Sequence, residues 1–441
     1  MKIVLSTYSL DQPGGSETYV VTLAEHLARL GHEVTVYARL IGPMAKVARD
    51  RAVRATAVSE ELPDDADAVI AGVDRGLALE LVGRYPAAAR VFVVHSSQDI
   101  HLPPPVPGAV AATVALNDLH LARASACAHA GEVVRLRQPI DLRRFSPRAE
   151  PNERPEHVLL LGNYHSGPSE RASELRDAWA DAELQWTEVG GEKRSFDVTA
   201  AIARADIVVG FGRSILEAMA CGRPGYVHDQ AGSEGWVTTS TYEEMEAGGF
   251  AIAGRRLPPD RRGLRNDLDA YRAQWGQEGR DLIRTHHDAR DHAAAIVALI
   301  ERIGPGRPCG ERSTLRALEQ LAESQLRGEM MAESFRHEAQ RLSALYHDSQ
   351  VQIASELASR RAEREAWEDE RAAWASEREH WGAEREVWMH EREEMRRKHA
   401  IATDAALRAE QRVAGFRRTR RYRFAQALAW PFEKVRLFLH W

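Results

Sequence analysis

The sequence predicts an α/β protein with two facing doubly wound domains, followed by a long α-helical, coiled-coil extension. Short, continuous apolar runs alternate with helical segments up to about residue 303, which is typical of parallel sheets covered by helices on both faces. The alternation restarts near residue 157, which indicates a second domain. Residues 313–414 contain no proline and little glycine, a composition that favours long helices.

The first predicted domain, residues 1–145, begins with a strand, a glycine loop and an amphipathic helix. Its predicted strands are residues 2–6, 33–37, 68–71, 91–94 and 113–116, with the helix near 17–31. The second predicted domain is residues 146–303. Its predicted strands are residues 157–161, 207–209 and 225–227, with helices near 261–275 and 277–303. Ligands of open α/β sheets bind beyond the carboxyl ends of the strands, so we expect a site in the cleft between the domains.

Three further segments follow in the sequence. The glycine and proline cluster at residues 304–312 predicts a linker. Residues 313–414 are the predicted helical region, and residues 415–441 form a basic, aromatic tail.

Composition narrows the class of protein. The 441 residues are enough for two globular domains and an appendage, and the net charge of −6 gives no general attraction to nucleic acid. Cys127, Cys221 and Cys309 lack metal or disulfide spacing, as expected in a reducing cytoplasm. No apolar run approaches the ~20 residues that span a bilayer, and the N-terminus is predicted to be a core strand rather than a signal peptide. We expect a cytoplasmic protein, with peripheral attachment to the inner face of the cell membrane left open.

The segment from Gly210 to Pro224 carries the clearest functional signal. It follows a strand-like run at residues 205–209, and its glycines allow a tight turn and the close approach of a ligand. Ser214 is a candidate helix N-cap, with Glu217 in the first turn. A helix N-terminus attracts anions, and the carboxylate can accept hydrogen bonds from ribose hydroxyls. The segment therefore predicts a pocket for a nucleoside diphosphate.

This segment also resembles the signature of the two-domain, retaining glycosyltransferases of family four, roughly E-G-F-G-x-x-x-L-E-A-M-A-C-G-x-P. The matching positions are Phe211, Gly212, residues 216–222 and Pro224. The glycine loop at residues 14–17 and the segment at 139–147 match two further family motifs in the same order. The resemblance covers about residues 1–303. It implies the GT-B fold of two Rossmann-like domains and a hexosyltransferase-like, metal-independent, retaining transfer from a nucleotide-sugar to a hydroxyl acceptor, without a cofactor.

The resemblance also implies roles for particular residues. Glu217 matches the glutamate that holds the ribose, and His95, at the end of the strand at 91–94, matches an active-site histidine. Glu17 is the second candidate catalytic residue, although a carboxylate there also favours the helix dipole. The predicted donor-binding residues are Gly14, Gly15, Gly212, Arg213, Ser214, Ile215, Leu216 and Glu217.

The chain departs from the family pattern at two places. Val209 stands where the family has a glutamate that touches the donor sugar. After the strand at 157–161, the chain also lacks the basic pair that clamps the diphosphate, for which Arg171, Lys193 and Arg213 are candidate replacements. The resemblance therefore predicts nucleotide binding more strongly than catalytic activity. The alternative to a glycosyltransferase is a protein that has lost catalysis and acts as an oligomeric scaffold in a complex that synthesises glycans.

Three weaker patterns are interpreted as structural. Asp65 and Asp67 have the D-x-D form that binds manganese in another glycosyltransferase fold, but the pattern is short and directly precedes a strand. His287 and His292 are five residues apart and, with His286, do not form a good helical metal site. Asp141 is expected to form a turn rather than to act in catalysis.

The extension contains a seven-residue repeat with arginine at position a, tryptophan at d and glutamate at g. Its tryptophans are Trp367, Trp374, Trp381 and Trp388. Glu and Arg mostly stand one or six positions apart and cannot pair within one helix, so we expect self-association through residues 313–400. A solitary helix, or a helix that binds a different protein, is the alternative.

The basic and aromatic residues of segment 416–441 favour binding to an anionic membrane surface. The alternatives are that this segment packs against its own protein or binds nucleic acid. The expected acceptor of the sugar is a glycan or a lipid-linked saccharide.

Overall fold

The computed structural model describes two compact units of the chain, Met1–Arg327 and Gly328–Trp441. The described residues are 1–96, 101–162, 170–191, 193–229, 232–251, 261–309, 311, 314–316, 318–325, 327, 328, 331, 356, 359, 360, 364 and 385–417. Both sheets of the protein lie in the first unit.

The first sheet has seven parallel strands within the described residues, in the order β3-β2-β1-β4-β5-β6-β7. The strands are β1 Lys2–Leu10, β2 Glu33–Ile41, β3 Arg54–Thr56, β4 Ala68–Gly72, β5 Ala89–Val94, β6 Ala112–Ala115 and β7 Glu132–Arg135. The connecting helices are α1 Gly15–Arg29, α2 Pro43–Asp50, α3 Arg75–Arg84 and α4 Asp118–Ser125, with a 3₁₀ turn at Ser59–Glu61. The strand order reverses between β1 and β4, which opens a crevice at the carboxyl end of β1.

The second sheet has five strands within the described residues, in the order β12-β11-β10-β8-β9, and only β12 is antiparallel. The strands are β8 His157–Leu161, β9 Gln185–Val189, β10 Ile207–Gly210, β11 Gly225–Asp229 and β12 Gly232–Trp236. The helices are α5 Glu170–Ala178, α6 Thr199–Arg204, α7 Arg213–Ala220, α8 Tyr242–Ala247, α9 Arg261–Asp269, α10 Trp275–His286 and α11 Ala289–Ile303, with a 3₁₀ turn at Ala180–Ala182. The predicted α/β fold class is confirmed.

Every strand that the sequence predicts is present, and the four that it does not predict are the edge strands β3, β7, β9 and β12. Inner strands such as β4 and β5 are buried along their whole length, so their sequences are continuously apolar. Edge strands such as β9 are mostly half-exposed or exposed. Their polar residues remove the apolar run by which a parallel strand is recognised.

The predicted helix at residues 277–303 is divided into α10 and α11. The Asp288 carboxylate accepts a hydrogen bond from the Arg290 N–H at 2.8 Å and caps α11. Although α11 follows the second sheet in the chain, its apolar face packs with α1 in the core of the first sheet. The residues of α11 in that core are Ala293, Ile296, Leu299 and Ile300.

Residues 306–323, which we call the strap, also pack on the first sheet where they are described. Cys309 and Leu315 are buried in one cluster with Leu79 and Val82 of α3. Compact packing therefore continues past the predicted linker at 304–312, and the first unit ends at Arg327.

Ion pairs join the two sheets beside the crossing segment, residues 136–156, which connects β7 with β8. Arg135, at the end of β7, donates from Nη2 to both carboxylate oxygens of Glu246 on α8, each at 2.7 Å. Arg137 pairs with Glu243 of the same helix at 2.7 Å. These contacts hold α8 against the crossing segment.

The second unit contains helix α12, Arg385–Arg417. From residue 392 onward, the described side chains of α12 are exposed. Within the described ranges, no helix is long and apolar enough to cross a membrane. Trp367, Trp374, Trp381 and the tail from residue 418 lie outside the described residues.

Candidate functional site

A cavity of about 380 Å³ lies between the carboxyl ends of strands from both sheets. Gly14 and Gly15, from the loop after β1, form one side. The opposite side is formed by residues at the ends of β8, β9 and β10. These residues are Leu161, Gly162, Val189, Gly190, Phe211, Gly212, Arg213 and Ser214. The structure thus brings together the two glycine-containing loops predicted to bind the donor.

The glycine loop after β1 leads directly into α1. Gly14 is the N-cap residue in an extended conformation, and α1 has no side-chain cap among the described residues. A Cβ atom at position 14 would meet the Glu17 carboxylate, so a larger residue there would require the Glu17 side chain to move. The first turn of α1 therefore presents backbone N–H groups and the positive end of the helix dipole at the cavity wall.

The loop after β10 ends at Gly212, which has φ of 57° and ψ of −128°. This conformation is open to glycine but strained for other residues. Its N–H donates to the carbonyl of Phe250 at 2.7 Å. The predicted N-cap at Ser214 is wrong: the turn at Gly212 starts α7 at Arg213, so Gly212 is the N-cap and Ser214 lies in the first turn. Within the described residues, no side chain caps this helix either.

Arg213 and Glu217 form a buried ion pair one turn apart at the cavity. Arg213 Nε donates to Glu217 Oε1 at 2.8 Å, and Nη1 donates to the carbonyl of Pro139 at 2.9 Å. The two residues are only 9% and 8% exposed. Burial raises the pKa of Glu217, and the charge of Arg213 opposes that rise. Arg213 Nη2 is buried and has no partner among the described residues, so it remains a donor for a bound group.

Not every predicted site residue reaches the cavity wall. Ile215 and Leu216 turn their side chains into the core of the second sheet. Glu17 lies in the first turn of α1 and accepts a hydrogen bond from Ser16 Oγ at 3.0 Å. Burial raises the pKa of Glu17, partly offset by its own backbone N–H, by Ser16 and by Arg194. Glu17 is not among the cavity-lining residues, and its catalytic role stays a prediction.

His95 follows β5 and lies beside α1, also outside the cavity lining. Its ring meets that of Tyr19 edge to face, with centroids 4.8 Å apart. Burial lowers the pKa of His95 to about 3, with smaller contributions from neighbouring histidines and Arg213. It is therefore neutral at pH 7, and its role stays a prediction as well.

The cavity also contains arginines that were not predicted. Arg51, Arg144 and Arg194 all line it. A sequence signal existed for two of them, because Arg144 lies in the segment at 139–147 and Arg194 follows the candidate Lys193. Lys193 itself is exposed, with Nζ 3.6 Å from a Glu188 carboxylate oxygen. The side chain of Arg171 lies outside the described residues.

Val209 is not among the residues that line the cavity. Its side chain is fully buried in a cluster that includes Trp179 and Tyr226. This position therefore supplies no polar group to a ligand in the cavity.

Asp65, Asp67 and Asp141 have structural contacts. Asp65 pairs with the Lys2 ammonium, and Asp67 Oδ2 accepts from the Lys2 backbone N–H at 2.7 Å. Asp141 Oδ1 accepts from the Arg143 N–H at 3.0 Å, and the Asp141 carbonyl accepts from the Phe145 N–H at 2.9 Å. Asp141 therefore forms the predicted turn. Within the described ranges, no group of three or more His, Cys, Asp or Glu side chains is arranged to hold a metal ion.

The two late histidines hold the crossing segment. Each bridges a tyrosine hydroxyl and a backbone carbonyl: His287 bridges Tyr242 (2.8 Å) and Gln138 (2.7 Å), and His292 bridges Tyr19 (2.9 Å) and Arg137 (3.0 Å). Both ring nitrogens of each histidine are thus used by hydrogen bonds within the protein.

Comparison with known proteins supports the predicted resemblance. The family model described as Glycosyltransferase Family 4 matches residues 13–71, which include Gly14, Gly15 and Glu17. The resemblance to family-four glycosyltransferases is therefore confirmed for this segment. No curated protein sequence matches the chain.

Similar solved structures include HepE (Alr3699) of Anabaena in complex with UDP and glucose. The identity is 14% and the TM-score 0.48, over 68% of this chain and 99% of that one. A glycosyltransferase of Rickettsia africae ESF-5 has 12% identity and a TM-score of 0.44, over 68% of this chain and 98% of that one. The calicheamicin glycosyltransferase CalG4 has 13% identity and a TM-score of 0.39, over 68% of this chain and 98% of that one.

Proposed function

We propose that the chain is a glycosyltransferase that binds a nucleotide-sugar in the cavity between its two sheets and transfers the sugar to a hydroxyl acceptor. The observation that carries this proposal is the meeting of two helix N-termini, those of α1 and α7, in one cavity that also contains Glu217. Neither helix has a side-chain cap among the described residues. Their N–H groups and dipoles favour an anion such as a diphosphate.

The same arrangement suits the chemistry of glycosyl transfer. When the bond between the sugar and the diphosphate breaks, negative charge develops on the leaving phosphate. Preorganised N–H donors and positive charges stabilise that charge in the transition state more than in the ground state. Arg213 Nε donates a hydrogen bond to Glu217 Oε1. We propose that the other carboxylate oxygen, Oε2, accepts a hydrogen bond from a ribose hydroxyl of the donor.

The finer features of the activity are proposed on the resemblance alone. These are retention of the anomeric configuration, independence from metal ions and a glycan or lipid-linked saccharide acceptor in the synthesis of bacterial surface polysaccharide. Turnover in the presence of EDTA and the anomeric configuration of the product test the first two.

The alternative function is a non-catalytic scaffold in a glycan-synthesis complex. Val209 favours it, because the chain has no carboxylate where the family touches the donor sugar. Turnover discriminates the two functions: a transferase releases nucleoside diphosphate from one of a panel of nucleotide-sugars when cell-derived acceptor is added. A scaffold releases none from any of them.

The first test of the site is nucleotide binding by the full chain, measured by calorimetry with UDP, GDP and dTDP. We expect one of them to bind, and we expect Glu217→Gln to weaken it about tenfold or more, because a charge-assisted hydrogen bond contributes roughly 1.5–3 kcal/mol. Glu150→Gln, which removes an exposed carboxylate away from the cavity, is the matched control. Absence of binding by all three nucleotides at millimolar concentration contradicts the proposal.

We also propose that residues 313–400 self-associate and that the basic, aromatic segment 416–441 attaches the enzyme to an anionic membrane surface at the cytoplasmic face. The heptad repeat supports self-association, and the clustering of arginines with aromatics supports membrane attachment.

Co-sedimentation with anionic vesicles, compared between the full chain and a chain that ends at Ala414, tests the membrane attachment. Equal sedimentation of both chains contradicts it.

A further inference from the structure

The carboxylates that line the cavity are each engaged within the protein. Asp197 accepts hydrogen bonds from the Thr199 N–H at 3.0 Å and from its hydroxyl at 2.7 Å. Asp141 forms the turn described above and lies 3.7 Å from His26 Nε2. Glu217 pairs with Arg213. Among the described lining residues, the negative charges are therefore already balanced or hydrogen-bonded.

The arginines in the cavity are not all balanced in this way. Arg213 has Glu217, and Arg51 lies with Nη1 3.8 Å from Glu25 Oε2. The guanidinium groups of Arg144 and Arg194 have no hydrogen bond or ion pair with any part of the chain that the structure describes. These two guanidinium groups are thus open to a ligand, and carboxylates such as Asp197 act on Arg144 only through space, without a direct contact.

The turn at Asp141 explains why Arg144 faces the cavity. Hydrogen bonds from the backbone N–H groups of Arg143, Arg144 and Phe145 to Asp141 fix the turn, and Phe145 is anchored in the core of the second sheet. This geometry leaves Arg143 exposed and half-buries Arg144 in the cavity wall.

Burial lowers the pKa of Arg144, opposed by the charges of Glu25, Asp197 and Glu217. A guanidinium remains charged at neutral pH despite such a shift. Arg144 therefore faces the cavity as a cation near Glu217.

Arg194 approaches the cavity from the other side. It follows β9, and its side chain is exposed while lining the cavity. Its charge lowers the pKa of Glu17, which places it in electrostatic range of the first turn of α1. Arg144 and Arg194 therefore line the same cavity as Gly14 and Gly15 of the glycine loop.

We propose that Arg144 and Arg194 clamp the diphosphate of the donor, replacing the basic pair that the chain lacks after β8. The inference rests on the proposed function, because it places a nucleoside diphosphate in this cavity. Two guanidinium groups match the charge of a diphosphate, and each can donate two parallel hydrogen bonds to phosphate oxygens. Since Arg144 belongs to the crossing segment, diphosphate binding depends on the turn between the two sheets.

The test compares a nucleoside diphosphate with its own nucleoside. Calorimetry on the full chain uses whichever of UDP, GDP or dTDP binds the unmodified protein, and the matching uridine, guanosine or thymidine. We expect Arg144→Met and Arg194→Met each to weaken diphosphate binding roughly tenfold or more, the size of a lost charge-assisted hydrogen bond. Nucleoside binding stays within about twofold, because a nucleoside carries no phosphate. Arg143→Met, which removes the exposed neighbouring charge, keeps the affinity of the unmodified protein.

The outcomes separate this inference from the proposed function. If the unmodified chain binds no nucleoside diphosphate, the proposed function fails. If it binds one and both variants keep its affinity, the clamp is overturned while the function stands. Equal losses for diphosphate and nucleoside also overturn the clamp, because they indicate a change in cavity shape. If Arg144→Met does not fold, Arg144→Lys keeps the charge without the paired donors. A selective loss of diphosphate affinity in that variant supports the clamp, and unchanged affinity contradicts it.

Discussion

His287 and His292 are buried, and burial favours the neutral form of both rings. A backbone carbonyl only accepts, so Nδ1 carries the proton in each ring and Nε2 accepts from the tyrosine hydroxyl. Burial lowers the pKa of His287 to about 3 and that of His292 to about 4. A histidine in an unfolded chain titrates near 6.5.

This difference predicts that the first unit loses stability in mild acid. Between the unfolded and folded pKa values, the unfolded chain binds more protons, so the free energy of unfolding falls as pH falls below about 6.5. Each histidine contributes about 1.4 kcal/mol per pH unit in that window. Urea unfolding at pH 7.5, 6.5, 5.5 and 5 should therefore give a smaller pH slope for His292→Gln than for the unmodified chain.

The comparison between variants isolates the histidine, because carboxylates with raised pKa values, such as Glu217, act in the opposite direction. His129→Gln, at a partly exposed histidine, is the control and should leave the slope unchanged. Identical slopes for His292→Gln and the unmodified chain contradict the prediction.

At the scale of elements, the strap is fixed to α3 and β2 by both apolar and ionic contacts. Leu315 is 6% exposed and packs among the residues of α3, whereas Leu321 is 57% exposed. Arg39, at the end region of β2, contacts four carboxylates at once. They are Asp74 (3.2 Å), Glu80 (3.6 Å), Glu319 (3.6 Å) and Glu323 (2.7 Å).

These contacts predict different costs for two leucine substitutions. Leu315→Ala should lower the free energy of unfolding by about 2–3 kcal/mol, because it removes a buried side chain and leaves a cavity. Leu321→Ala should change it by less than about 0.5 kcal/mol, since the side chain is mainly in solvent. Chemical unfolding of both full-length variants measures the difference. A loss for Leu315→Ala as small as that for Leu321→Ala would contradict the prediction, because it would mean that the packing of Leu315 adds little to the stability of the first unit.

At the scale of the whole molecule, the extension combines a seven-residue sequence repeat with a long helix whose described side chains from residue 392 are exposed. The described side chains of α12 from residue 392 are exposed, including Met395, Ile401 and Leu407. The heptad pattern that precedes them has arginine at a and tryptophan at d. Such a seam stabilises a left-handed coiled coil when two chains share it.

A fragment of residues 311–400 is therefore predicted to be helical and to self-associate. Changing the four tryptophans of the repeat together to glutamate should give monomers, because charge at position d cannot be buried between helices. Sedimentation equilibrium measures the mass of both fragments. An unmodified fragment that stays monomeric at high concentration would indicate a solitary helix.

The inner strands and the two glycine loops are recognisable from the sequence because their local environment restricts residue type. A strand buried on both faces has to be continuously apolar, and Gly212 has to adopt a positive φ. The family model also matches residues 13–71, a segment that begins at the glycine loop and ends in β4. Local sequence therefore determined the fold class and the predicted donor-binding loops.

Tertiary structure alone decided which distant residues meet. The edge strands lack a periodic signal because solvent covers part of them, and α11 packs on the first sheet although it follows the second in the chain. Arg144 and Arg194 are 50 positions apart in the numbering and line one cavity only because the turn at Asp141 and the end of β9 face the same space. Local patterns record the burial of each residue, whereas contacts between distant residues depend on how whole elements pack.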